Sequence, residues 1–68
     1  MPVKFFLRKK EYQIDDVKDL TVAKALSQLN LFPEAHLVIR RGQMITEQEL
    51  LRDGDEIKIV PVISGGDL

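Results

Sequence analysis

Few side chains in this 68-residue chain are able to carry chemistry, and their spacing suits none of the common catalytic devices. Cysteine is absent, which removes thiol nucleophiles, zinc–thiolate sites, iron–sulfur clusters and disulfide frameworks together. His36 is the only histidine, so neither a histidine pair for a metal nor a serine–histidine pair for acyl transfer has evident partners, and an exposed or edge-strand position is its expected role. Ser27 falls in a helical stretch and Ser64 close to the last residue, neither in the strand–turn–helix setting of a nucleophile elbow. Carboxylates occur as Asp15 with Asp16, Glu47 with Glu49 and Asp53 with Asp55, where turns and solvated faces account for them better than acid–base pairs do. Gly65-Gly66 makes no phosphate loop, because no spaced glycine series opens a helix and no lysine follows. Its position is more informative than its type. Ser64-Gly65-Gly66-Asp67-Leu68 runs past the last element the sequence predicts, so an extended, flexible tail over 64–68 is expected behind a domain over 1–63.

The elements that must present this tail fit a small globular domain. Hydrophobic residues make up 44% and charged residues 31%, outside the disordered, fibrous and membrane classes. Ten Lys and Arg against eleven Asp and Glu leave a formal charge of −1, so no net basic field favours nucleic acid or an anionic membrane. The apolar run in Met1–Leu7 is short for a signal peptide, and no stretch approaches the roughly 20 apolar residues of a membrane span. A cytoplasmic location is therefore expected, with no nucleic-acid partner, no membrane, no bound metal and no resident cofactor.

Val3, Phe5 and Leu7 alternate with Lys4, Phe6 and Arg8, which predicts a strand with one buried face. Arg8-Lys9-Lys10 forms a charged turn into a second strand over Glu11–Asp16, giving an antiparallel hairpin. Val22, Ala25, Leu26 and Leu29 then recur at helical spacing, which predicts a helix from Val22 to about Asn30, with Thr21 or Asp19 as N-cap and Phe32-Pro33 as the stop. Leu37–Arg41 reads as a third strand and Gln43–Ile45 as a short fourth after Gly42. Thr46–Leu50 makes at most one capped turn, and Asp53-Gly54-Asp55 turns the chain into a fifth strand over Glu56–Val60.

This order gives an α+β domain, a mixed sheet of four to five strands with one main helix across one face, the arrangement of a β-grasp (ubiquitin-like) fold. With the last strand parallel beside the first, the sheet order is 2-1-5-3-4. Val3, Phe5, Leu7, Leu37, Ile39, Ile57 and Ile59 are then expected to face the helix. Phe6, Val38 and Val60 are expected on the opposite face, as a contiguous apolar patch flanked by Lys4, Arg8, Arg40 and Lys58. An apolar set rimmed by charge suggests a docking surface.

The segment Leu51-Arg52-Asp53-Gly54-Asp55-Glu56-Ile57-Lys58-Ile59-Val60-Pro61-Val62-Ile63-Ser64-Gly65-Gly66 resembles the closing segment of the small ubiquitin-like sulfur carriers of thiamine and molybdopterin biosynthesis. Leu20-Thr21-Val22 and Val38-Ile39-Arg40-Arg41-Gly42 sit where that family places its helix entry and strand turn, so the resemblance covers most of the chain. It implies a protein substrate rather than an enzyme. An E1-like activating enzyme would use ATP to adenylate the carboxylate of Gly66, and exchange with a sulfur donor would leave a thiocarboxylate that passes sulfur to an acceptor enzyme. Two glycines suit a narrow channel because they lack Cβ atoms. Phe6, Val38, Val60 and Arg40 would supply partner recognition, and Ser64, Gly65 and Gly66 the reacting tail. Here Gly66 precedes Asp67-Leu68, so its carbonyl is an amide until a processing peptidase removes both residues. The alternatives are a non-covalent ubiquitin-like interaction module or modifier without sulfur chemistry and, more remotely, an RNA-binding domain using Arg8, Lys9, Lys10, Arg40 and Arg41.

Overall fold

The computed structural model describes residues 1–62. Strands β1 (Val3–Leu7) and β2 (Lys10–Ile14) are followed by helix α1 (Val22–Gln28), a 3-10 turn (Pro33–Ala35), and strands β3 (His36–Arg40), β4 (Gln43–Ile45) and β5 (Glu56–Pro61). They form one five-stranded sheet in the order β2-β1-β5-β3-β4, as the sequence predicts. Parallel β1 and β5 are central, and β1–β2, β3–β4 and β3–β5 pair antiparallel.

Both hairpins turn on two residues. Leu7 pairs with Lys10, so Arg8-Lys9 alone makes the first turn and Lys10 already belongs to β2, one residue earlier than the spacing predicts. Arg40 pairs with Gln43 across Arg41-Gly42, whose φ values of 55° and 78° are both positive, as a type I′ turn requires. Strand β2 stops at Ile14 rather than Asp16, where the Asp16 Oδ1 accepts a hydrogen bond from the Lys18 amide at 3.2 Å and starts a turn.

Thr21 is the N-cap of α1, its hydroxyl accepting from the Lys24 amide at 3.2 Å. The amides of Val22 and Ala23 donate to the carbonyls of Glu49 and Glu47, both at 3.0 Å. The loop after β4 thus satisfies donors that a helix start leaves unpaired. The helix ends sooner than proline placement predicts. Asn30 takes φ 61°, its amide donates to Ser27 and that of Leu31 to Leu26, the paired bonds of a Schellman cap. Pro33 instead opens the 3-10 turn.

The core lies between α1 and one face of the sheet. Val3, Phe5, Ile57 and Ile59 pack there with Val22, Ala25 and Leu26 of the helix, closed by Ile14, Leu20 and Leu51. Among the described residues no polar or charged side chain is buried. Each large apolar side chain fully buried in this way contributes about 1.5–3 kcal/mol.

Strand β3 departs from expectation. Val38 pairs with Ile59 and is buried at 5% exposure, whereas Leu37 pairs with Val60 and is 39% exposed. Paired residues share a face, so Val38 points to the helix and Leu37 and Ile39 away from it, the reverse of the expected parity.

Candidate functional site

The sheet face turned away from α1 is assembled by register. Phe6 on β1 pairs with Lys58 on β5, Lys58 with Ile39 on β3, and Ile39 with Met44 on β4. One step along, Val60 pairs with Leu37. Phe6, Ile39 and Val60 are half-buried, and Leu37 and Met44 are exposed. Lys58 lies in the middle of the row, where a lysine can lay its alkyl stem along apolar neighbours while the ammonium stays in water. The result is an apolar strip over four strands, of which the sequence reading identified Phe6 and Val60. Leu37 and Ile39 were missed, because Leu37-Val38-Ile39 is an unbroken apolar run without alternation to set its parity.

Val38 and Arg40 are not part of that strip. Val38 is a core residue, and Arg40 shares its parity, pairing with Ile57 on the helix side. The Arg40 side chain, 22% exposed, donates to Glu49 Oε2 at 2.8 Å, to Asp55 Oδ2 at 3.3 Å and to the Leu50 carbonyl at 3.1 Å. It clasps the 49–55 loop to β3 rather than flanking the open face. Asp55 also accepts from the Arg52 amide at 3.0 Å, and Gly54 takes φ 82° in the same turn.

The remaining candidates of the sequence occupy structural positions. His36 opens β3 with its Nδ1 2.9 Å from the Phe32 carbonyl oxygen. A carbonyl only accepts, so Nδ1 carries the proton. Asp53 pairs at the surface with the amino group of Met1 at 3.7 Å. Among the described residues no three His, Asp or Glu converge as a metal site, and no helix is long and apolar enough to cross a membrane.

Strand β5 finishes at Pro61, and the Val62 amide donates to the Ala35 carbonyl at 2.8 Å, tying the last described residue to the start of β3. Val60 of the apolar strip is two residues away. Ser64, Gly65 and Gly66, the expected reacting tail, and Asp67-Leu68 lie outside the described residues.

A mixed sheet in this order, crossed by one helix and open and apolar on its other face, defines a small ubiquitin-like β-grasp protein. The chain belongs to the ThiS family, whose model matches residues 3–66. The crystal structure of SAMP1 from Haloferax volcanii has the same fold, with a TM-score of 0.73 at 22% identity over 97% of this chain and 100% of that one. No curated protein sequence matches the chain. Membership of this family makes the chain a small ubiquitin-like sulfur carrier or modifier.

Proposed function

We propose that the protein is a sulfur carrier that works through the carboxylate of Gly66 once Asp67-Leu68 have been removed. The observation that carries this reading is the extent of the family match, which runs through the closing strand and ends on Gly66. A carboxylate resists attack by a sulfur nucleophile because oxide is a poor leaving group. Attack of a Gly66 carboxylate oxygen on the α-phosphorus of ATP expels pyrophosphate and gives an acyl-adenylate. A hydrosulfide-level donor then attacks the acyl carbon, AMP leaves, and a thiocarboxylate remains. The E1-like activating enzyme uses the ATP, sulfur donor and acceptor enzymes stand on either side of the carrier, and a processing peptidase precedes them all. The product belongs to a pathway of the thiamine or molybdopterin type, in the cytoplasm. The carrier needs no cofactor of its own. Its open apolar face, with Phe6, Leu37, Ile39 and Val60, gives the partners a surface to recognise.

The test compares the full-length chain with a form ending at Gly66, each incubated with an ATP-dependent activating enzyme and a sulfur source and then weighed intact. The Gly66-terminated form should gain the mass of oxygen exchanged for sulfur, the full-length chain should not, and Gly66→Ala should weaken the reaction. Absence of both adenylate and sulfur on the trimmed form rejects the proposal.

The open face also favours a second reading, a modifier or non-covalent interaction module. In that case Phe6→Asp abolishes partner binding, while deletion of residues 64–68 leaves it intact.

A further inference from the structure

Helix α1 has only seven residues, about 10 Å of length at 1.5 Å per residue. Its Schellman cap turns the chain away at Asn30 before the helix has covered the whole inner face of the sheet. At the uncovered end, beside the β1–β2 turn, lies an open groove of about 650 Å³. Its apolar walls are Leu7, Tyr12, Leu31 and Pro61. Its rim carries Arg8, Lys9 and Lys10 from the turn and His36 from the start of β3, and among the described residues no acidic side chain lines it. In a chain of net charge −1 this is a local accumulation of positive charge. Among the described residues, Arg8, Lys9 and Lys10 form no ion pair.

Strand β2 contributes Tyr12 and Lys10 to the groove and is also one of the two edge strands of the sheet. The outward amides and carbonyls of an edge strand offer a template for a further strand. An unpaired edge, an apolar hollow on its helix side and a run of cations at its turn are three complementary demands on one ligand. We propose that this groove binds an extended acidic peptide, which adds to the edge of β2, seats an apolar side chain among Leu7, Tyr12 and Leu31, and sets its carboxylates against Arg8, Lys9 and Lys10. Nucleic acid fits less well, since among the described residues Tyr12 is the only large aromatic one in the groove and base stacking needs a series of such platforms. The proposal uses none of the sulfur chemistry at Gly66, so either can fail alone.

The test is titration of the ¹⁵N-labelled protein with synthetic peptides carrying three glutamates beside an alternating apolar segment, the anchor varied through Val, Ile, Leu, Phe and Tyr. Peptides with lysine in place of glutamate and a single-stranded oligonucleotide serve as comparisons. Amide shifts should concentrate in residues 7–12, Leu31 and His36, and affinity should fall as salt rises. The pair Arg8→Glu with Lys10→Glu should weaken binding at least about tenfold. The pair Lys24→Glu with Arg52→Glu, an equal change of net charge elsewhere, should weaken it less than about twofold. A native-like spectrum of each variant shows that loss of binding is not loss of fold. The proposal is overturned if no acidic peptide shifts these amides at millimolar concentration, if the lysine peptides bind as well, if the shifts fall on the Phe6 and Val60 face, or if the oligonucleotide binds the groove more tightly.

Discussion

Replacing Val38 and Val60 separately by threonine tests which way β3 faces. The substitution preserves shape and β-branching, so strand propensity and volume barely change, and the difference between the sites reports what surrounds the new hydroxyl. Val38 lies opposite Ile59 beneath the helix at 5% exposure, with Val22, Leu26 and Ile45 beside it. A buried hydroxyl without a partner costs about 1–3 kcal/mol. At Val60, half-buried on the open face, the hydroxyl reaches water and the cost should stay below about 0.5 kcal/mol. A domain of this size has roughly 3–10 kcal/mol of stability, so both variants should remain folded in buffer. Urea unfolding followed by circular dichroism reads the difference. With a slope near 1 kcal/mol per molar, the Val38→Thr midpoint should fall by roughly 1–3 M and that of Val60→Thr by less than about 0.5 M. In thermal unfolding, a cost of about 2 kcal/mol corresponds to a Tm lowered by roughly 8–16 °C. Equal midpoints, the result expected if both valines faced outward, or a larger loss at Val60, would refute the register on which the open face is built.

Arg40→Ala should lower stability by about 1–2 kcal/mol, the loss of charge-assisted hydrogen bonds discounted for the exposure of Glu49. Faster amide exchange at residues 49–55 should accompany it, and an unchanged exchange rate there would contradict the clasp. Arg41→Asn should raise stability by about 0.5–1 kcal/mol in the same urea assay, because asparagine adopts the φ of 55° that a type I′ turn imposes at lower cost than arginine does.

Much of this fold can be read from the sequence because its signals agree. Alternation in Val3–Leu7 and Glu56–Val60, the Asp53-Gly54 turn and the single helical stripe leave few ways to close one sheet over one helix. The third strand is different. Leu37-Val38-Ile39-Arg40 has apolar residues at three successive positions, and a charge at its end argues for placing Val38 and Arg40 outward together. The structure does the opposite, since Glu49 and Asp55 arrive from a distant turn to neutralise an inward Arg40. Such a pairing between residues nine and fifteen positions apart is invisible to local periodicity. The helix stop had a local signal that proline obscured, because Asn30 is a common left-handed cap residue. Within the candidate site, Phe6 and Val60 were recoverable because their strands alternate. Leu37 and Ile39 were lost with the parity of β3.

The hydrogen bond from the Val62 amide to the Ala35 carbonyl ties the last described residue to the start of β3. Gly66 lies four residues further along the chain, and covalent geometry allows at most about 3.3–3.6 Å per residue, so its Cα can lie no more than roughly 14 Å from that of Val62. On the proposed function, an activating enzyme must hold its reacting atoms within about that distance of Val62. A partner with a deeper active site would have to engulf the end of the domain around Pro61 and His36. Adding residues between Val62 and Ser64 would relax this limit. On that proposal, the distance between docking surface and reacting centre is a property the carrier would impose on all of its partners alike.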